Sequence, residues 1–233
     1  MFTTLLNIIF PKRCIGCKKF GDLLCPVCFA KIEFSTLHLC PLCNKRSIDG
    51  ATHPGCRTRY TLDGLSSGVV YRGIVKRLVY QFKYQPYLSS LSEVIGKLLY
   101  EAIIQDEVAY NKLLATPLLV PVPLHSRRFK KRGYNHAELL ARSLSLELDL
   151  PIYKDMLIRV KETKPQFSLN REERYKNIKG AFVINKKYGE KIKGKNIVLV
   201  DDVATSCATL NECANVLKRN GAQSVWAITF ARE

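Results

Sequence analysis

The run Ile197 to Leu210, IVLVDDVATSCATL, constrains this chain more than any other stretch. A buried hydrophobic segment meets two adjacent aspartates, then a cluster of small hydroxyl residues that leads into a helical pattern. A continuous apolar run of that kind is a strand covered on both faces, as in a parallel sheet flanked by helices. In such sheets ligands bind outside the carboxyl ends of the strands, where Asp201 and Asp202 fall. Thr205, Ser206, Cys207, Ala208 and Thr209 then offer backbone N–H groups and hydroxyls to an anion at the positive end of the next helix. Two carboxylates beside a phosphate cradle require a ligand with hydroxyls, or a divalent cation, next to its phosphate, because like charges held together need partners to offset their repulsion. A ribose 5-phosphate has that layout. On the residues alone, the alternatives are solvated charges or an aspartate that caps the helix.

The remaining pattern from about Leu65 onward supports an α/β domain. Ser67 to Tyr71, Leu118 to Val122 and Ser224 to Phe230 read as strands, and Ile74 to Tyr84 as a basic amphipathic helix. Leu88 to Gln105 reads as a second helix. A third, after Tyr134, carries Ala137, Leu140, Ala141, Leu144 and Leu148 at the helical period, and a fourth carries Leu210, Cys213, Ala214 and Leu217 and stops at Gly221.

A second anion site is expected in VPVPLHSRRFKKRGYNHAELLA, Val120 to Ala141. Arg127, Arg128, Lys130, Lys131 and Arg132 follow a strand with no acid before Glu138. Five cations between a strand end and a helix start suit a multiply charged anion; an exposed basic loop is the alternative. The chain as a whole has 37 Lys and Arg against 20 Asp and Glu, a formal charge of +17, which favours polyanionic partners without choosing among them.

Seven of the nine cysteines lie between Cys14 and Cys56, among prolines and glycines and with little periodic hydrophobicity. A segment like that has no core of its own and folds around metal. Cys14-x-x-Cys17 with Cys25-x-x-Cys28 has the spacing of a tetrahedral four-cysteine zinc site, and Cys40-x-x-Cys43 with His53-x-x-Cys56 that of a site with three cysteines and one histidine. For the second site, a free loop His53 with Cys56 unpaired, interleaved pairing, and His38 as a substitute ligand all remain open. Closed four-ligand sites are structural, so about two zinc ions building a surface are expected. Neighbouring Lys12, Arg13, Lys18, Lys19, Lys45, Arg46, Arg57 and Arg59, with Phe20, Phe29 and Phe34, suit nucleic-acid contact or, for the phenylalanines, a mini-core. The boundaries expected are 1–62 for this module and 63–233 for the α/β domain. The opening MFTTLLNIIF has no basic start or cleavage site and is too short to span a bilayer, which points to a cytoplasmic protein with no transmembrane segment and a short packed helix at its start.

Four motifs in order carry a resemblance over nearly the whole chain. The strand, acidic pair and Thr/Ser-rich loop resemble the phosphoribosyl-diphosphate (PRPP) motif of type I phosphoribosyltransferases. Pro121, Pro123, Leu124, His125, Arg128, Arg132, Gly133, Tyr134 and Asn135, then Thr163, Gln166, Leu169, Arg174, Asn177 and Phe182, match two runs of the competence-associated ComF family, as does the cysteine module. The resemblance implies a type I phosphoribosyltransferase-like parallel sheet with an N-terminal double zinc ribbon. It implies that Asp201 and Asp202 hold the ribose hydroxyls, directly or through Mg2+, that residues Thr205 to Thr209 hold the 5-phosphate, and that Arg128, Lys131 and Arg132 hold pyrophosphate or backbone phosphate. The family usually has glycine at the position of Cys207, where a thiol would crowd the phosphate. Two functions follow as expectations: binding of PRPP and single-stranded DNA in DNA uptake, with a competence helicase or other uptake proteins as partners, or transfer of ribose 5-phosphate from PRPP to an unidentified acceptor in nucleotide metabolism.

Overall fold

The computed structural model describes residues 12–84, 87–115, 118–163 and 169–233. The opening apolar segment and Gln166 lie outside these. Strand β1 (Gly64–Val70) precedes helices α1 (Gly73–Lys83), α2 (Leu91–Gln105) and α3 (Glu107–Leu114). Strand β2 (Leu118–Pro121) leads into α4 (Ser126–Arg132) and α5 (His136–Leu148), and the short strands β3 (Leu157–Arg159) and β4 (Phe182–Ile184) bracket α6 (Arg171–Ile178). Strand β5 (Asn196–Ala204), helix α7 (Ala208–Arg219) and strand β6 (Ser224–Arg232) complete the order.

The expected parallel sheet flanked by helices is present, in the order β1-β6-β5-β2, with β3 and β4 as a separate antiparallel pair. Side-chain alternation along β5 sorts the two cores. Val198 and Val200 join Leu78, Leu99 and Leu140 from α1, α2 and α5, whereas Ile197 and Leu199 join Leu210 and Leu217 of α7. Full burial of such a side chain contributes about 1.5–3 kcal/mol, so both layers hold β5 in register.

One expectation needs correcting. The strand does not end on the aspartates: β5 runs on to Ala204, pairing Asp201 with Thr229 and Ala204 with Arg232 of β6. On its other side β2 stops at Pro121, opposite Val200. The edge of β5 is therefore free of strand pairing where the two carboxylates begin, and that step in the sheet makes room for a site.

The cysteine-rich segment is stitched to the sheet rather than appended to it. Ser35 N–H donates to Gly68 O and Val70 N–H to Glu33 O, so the stretch between the two cysteine sets runs along β1. Arg77 of α1 donates to Gly16 O beside the first set. Arg232, 7% exposed at the end of β6, donates to Leu39 O, Cys40 O and the Asn44 side chain beside the second. Among the described residues, no helix is long and apolar enough to cross a membrane.

Candidate phosphoribosyl site and zinc centres

A cleft of about 710 Å³ opens at the carboxyl ends of β2 and β5. It brings together Asp201, Asp202, Thr205, Cys207, Ala208 and Thr209 with Arg128, Lys131 and Arg132, so the two anion sites read separately from the sequence share one cavity. Ser206 is not among the lining residues; its carbonyl accepts from the Tyr175 hydroxyl and its Oγ from Ala208 N–H.

Two residues that the sequence did not single out complete the acidic centre. Lys83, the last residue of α1, reaches Asp202 Oδ2 at 2.8 Å. His136, the first residue of α5, lies 3.5 Å from Asp202 and 3.7 Å from Asp201 through Nε2. Arg132 donates to its other nitrogen, Nδ1, at 2.5 Å, so the ring proton sits on Nε2 and points at the carboxylates. Burial holds His136 down at about 3, and the ring is neutral at physiological pH. His136 therefore faces the acidic pair through its Nε2–H without an aligned hydrogen bond to either carboxylate, and that protonated nitrogen does not ligate a cation.

The two carboxyls differ in charge state. Burial, then the charge on Asp202, pushes Asp201 up to about 7. Burial also acts on Asp202, but His136 and Lys83 outweigh it and hold that carboxyl well below the usual range. Each aspartate also accepts a backbone bond, Asp202 N–H to Asp201 Oδ1 and Val203 N–H to Asp202 Oδ1. Asp202 Oδ2 is buried and, despite its ion pair with Lys83, lacks an aligned hydrogen bond. An oxygen-seeking divalent cation such as Mg2+, or a ligand hydroxyl, fits that acceptor.

The matched motif residues have physical tasks around this centre. Gly133 ends α4 at a φ of 82°, a left-handed turn suited to glycine. The Tyr134 hydroxyl donates to Phe82 O, tying down the end of α1, while Asn135 donates to Val122 O and caps α5 through Ala137 N–H. His125 caps α4 by accepting from Arg127 N–H, which fixes the loop. Arg127–Arg132 is thus a capped helix rather than an open basic loop. Thr163 accepts from Arg128 at its carbonyl and from Arg159 at its hydroxyl, which ties together two arginines that line the cleft. Arg174 of α6 donates to Thr205 Oγ1 at 2.7 Å, which seats α6 on the small-residue loop.

Cys207 has a φ of 57° and is buried, at 4% exposure, among the residues under α7. The residue packs into the core while also lining the cleft, and its left-handed backbone adds strain to the side chain it carries. A left-handed residue costs an L side chain about 1–2 kcal/mol that glycine avoids. Cys207→Gly is therefore expected to be more stable than Cys207→Ala, by about 1 kcal/mol, in chemical denaturation.

The cysteines resolve into two sets. Cys14, Cys17, Cys25 and Cys28 converge on one point, and Cys40, Cys43, His53 and Cys56 on another, with the ligand atoms of each set within 4.8 Å of one another. Cys17 and Cys25 sulfurs are 3.6 Å apart, close to the ~3.8 Å edge of a tetrahedron with zinc–sulfur bonds of about 2.3 Å. His53 Nδ1 stands 3.2 Å from Cys43 Sγ while Nε2 bonds Arg46 O at 2.9 Å. That carbonyl fixes the ring proton on Nε2 and leaves Nδ1 as the ligand atom. His38 lies outside both sets, and the pairing is not interleaved.

Comparison with known proteins agrees with this architecture. Residues 5–57 match the double zinc ribbon domain family, and residues 130–233 the phosphoribosyl transferase domain family. Fold and matches together define a phosphoribosyltransferase-domain protein with an N-terminal double zinc ribbon. Competence protein F of Haemophilus influenzae is 31% identical over 231 residues, covering 96% of this chain and 98% of that protein. The DNA utilization protein YhgH of Escherichia coli K12 is 30% identical over 87% of this chain and 93% of its own length, and competence protein ComFC of Bacillus subtilis 29% identical over 94% and 88%. The chain belongs to the competence protein F family.

Proposed function

We propose that this protein binds PRPP with Mg2+ in the cleft and handles single-stranded DNA during DNA uptake in the cytoplasm, with residues 1–62 and 63–233 as its two modules. The observation that carries the ligand reading is the layout of one cavity: two carboxylates, a helix-start loop of small residues, and a ring of cations from four elements, Lys83, Arg128, Arg132 and Arg159 among them. PRPP presents the complement, with two ribose hydroxyls between a monophosphate and a pyrophosphate. Asp201 and Asp202 would hold the hydroxyls and the cation, and residues Thr205 to Thr209 the 5-phosphate at the start of α7. Arg128, Lys131 and Arg132 would neutralise the pyrophosphate. The bound Mg2+ would supply charge compensation between the carboxylates and the pyrophosphate. The DNA reading draws on the printed roles of the relatives, competence and DNA utilization, and on the basic charge.

Calorimetry with PRPP and Mg2+ tests the ligand. Wild type is expected to bind, and Asp202→Asn to lose at least about tenfold in affinity, since a charge-assisted bond contributes about 1.5–3 kcal/mol. No heat of binding with wild type would sink the assignment.

A further inference from the structure

Helix α1 turns Ile74, Val75, Leu78, Val79 and Phe82 into the core. An ordinary amphipathic helix would cover the opposite face with mixed charges. Here that face carries Lys76, Arg77, Tyr80 and Lys83, with Tyr84 directly after the last turn, and the sequence has no carboxylate anywhere between Asp63 and Glu93. Tyr80 is 59% exposed and Tyr84 42%, although both are large aromatics. They sit one turn apart with ring centroids at 5.1 Å and planes at 32°, a tilted and exposed pair. Both stand on the rim of the cleft, and Lys83, between them on the helix, reaches Asp202 inside it.

We infer that Tyr80 and Tyr84 form a base-stacking platform for single-stranded nucleic acid whose phosphates follow the cationic lip of the cleft. This inference deepens the proposed DNA reading and rests on it. Unpaired bases offer flat π-faces to exposed aromatic rings, while lysines and arginines beside them track the backbone. A duplex hides those faces, so the platform selects single strands. Charge complementarity argues against a protein partner, because a face with cations and no carboxylate repels most basic surfaces and offers an acidic peptide no use for its paired rings. Openness argues against a small-molecule base, which an active site would enclose against water.

The test is fluorescence anisotropy with a labelled oligothymidylate and the zinc-loaded full chain, using wild type, Tyr80→Ala/Tyr84→Ala and Tyr80→Phe/Tyr84→Phe. Base stacking sets the expected loss for the alanine pair at about tenfold or more, with the salt slope unchanged because no phosphate contact is removed. The phenylalanine pair keeps its rings and is expected to bind like wild type, which also separates stacking from loss of fold. Equal affinity of wild type and the alanine pair would overturn the platform and leave DNA binding standing. Duplex binding as tight as single-strand binding by wild type would overturn it too. Absence of any single-strand binding would overturn both this inference and the DNA reading, while calorimetry with PRPP and Mg2+ on the same wild-type sample judges the PRPP reading separately.

Discussion

Stripping zinc with a strong chelator is expected to unfold the segment from Lys12 to about Asp63. Its own apolar burial is small: Ile15 and Ile32 are its buried aliphatics up to Leu62, while Phe20, Val27, Leu37 and Ile48 stay largely exposed. Metal binding must therefore supply most of its folding free energy, which in isolated zinc-finger peptides is about 10–16 kcal/mol per ion. The effect does not stay local. Arg232 loses three acceptors when the second knuckle melts, and an orphaned hydrogen bond to a charged group costs about 1.5–3 kcal/mol. β1 loses the Ser35 and Glu33 bonds along its open edge. Hydrogen exchange after chelation is therefore expected to rise throughout residues 12–63 and, to a lesser degree, at β1 and the end of β6. Metal analysis before chelation is expected to give about two zinc per chain. Unchanged amide protection in the cysteine-rich segment would contradict this account.

How far the sequence could be read depended on whether a feature was local. The C-x-x-C pairs, the aspartate pair and the Thr-Ser-Cys-Ala-Thr loop each fit within a few residues, and the structure brings together the cysteines and, in the cleft, the aspartates and all of the loop but Ser206. Lys83 and His136 escaped because each is ordinary in its own helix and meets Asp202 only through packing of α1 and α5 against β5. His136 did leave a trace: it directly follows Asn135, a matched residue that caps the same helix. Helix α4 buries no residue, so no periodicity marks it in the sequence. Only its ends do, with His125 capping the start and Gly133 the stop. Strands β3 and β4 are three residues long, too short for an alternating pattern to register. The extension of β5 past the aspartates depends on β6 outrunning β2, and the sequence of β5 itself carries no sign of its partners' lengths. Helix α3 is marked in the sequence by its Asp106 cap, which accepts from Val108 and Ala109 N–H.

On the proposed reading, affinity for PRPP with Mg2+ is expected to fall about tenfold for each pH unit below about 7, relative to a variant without the Asp201 carboxyl. The sign follows from the free protein. Burial and the neighbouring Asp202 charge push Asp201 up to about 7, so below that pH the carboxyl holds a proton which a cation or a hydroxyl donor must displace. Above it the carboxyl is already ionised and the dependence levels off. The groups that face it do not share the titration: Asp202 stays ionised, and His136, held down at about 3 by burial, stays neutral across the same range. Burial disfavours the Lys83 ammonium but the two aspartates outweigh it, so Lys83 stays charged. The phosphate monoester of the ligand itself titrates near about 6, so the slope of wild type alone does not isolate Asp201. Asp201→Asn does, because it keeps the shape and the Asp202 N–H acceptor while removing the titrating proton. The variant is expected to bind more weakly at high pH and to show a slope shallower by one proton between about pH 5 and 7. Calorimetry in buffers of different ionisation heat should register the same proton as a buffer-dependent enthalpy larger in wild type than in Asp201→Asn near about pH 6. Identical slopes for the two proteins would mean that Asp201 is already ionised in the free cleft, with the Lys83 charge outweighing burial at both carboxylates.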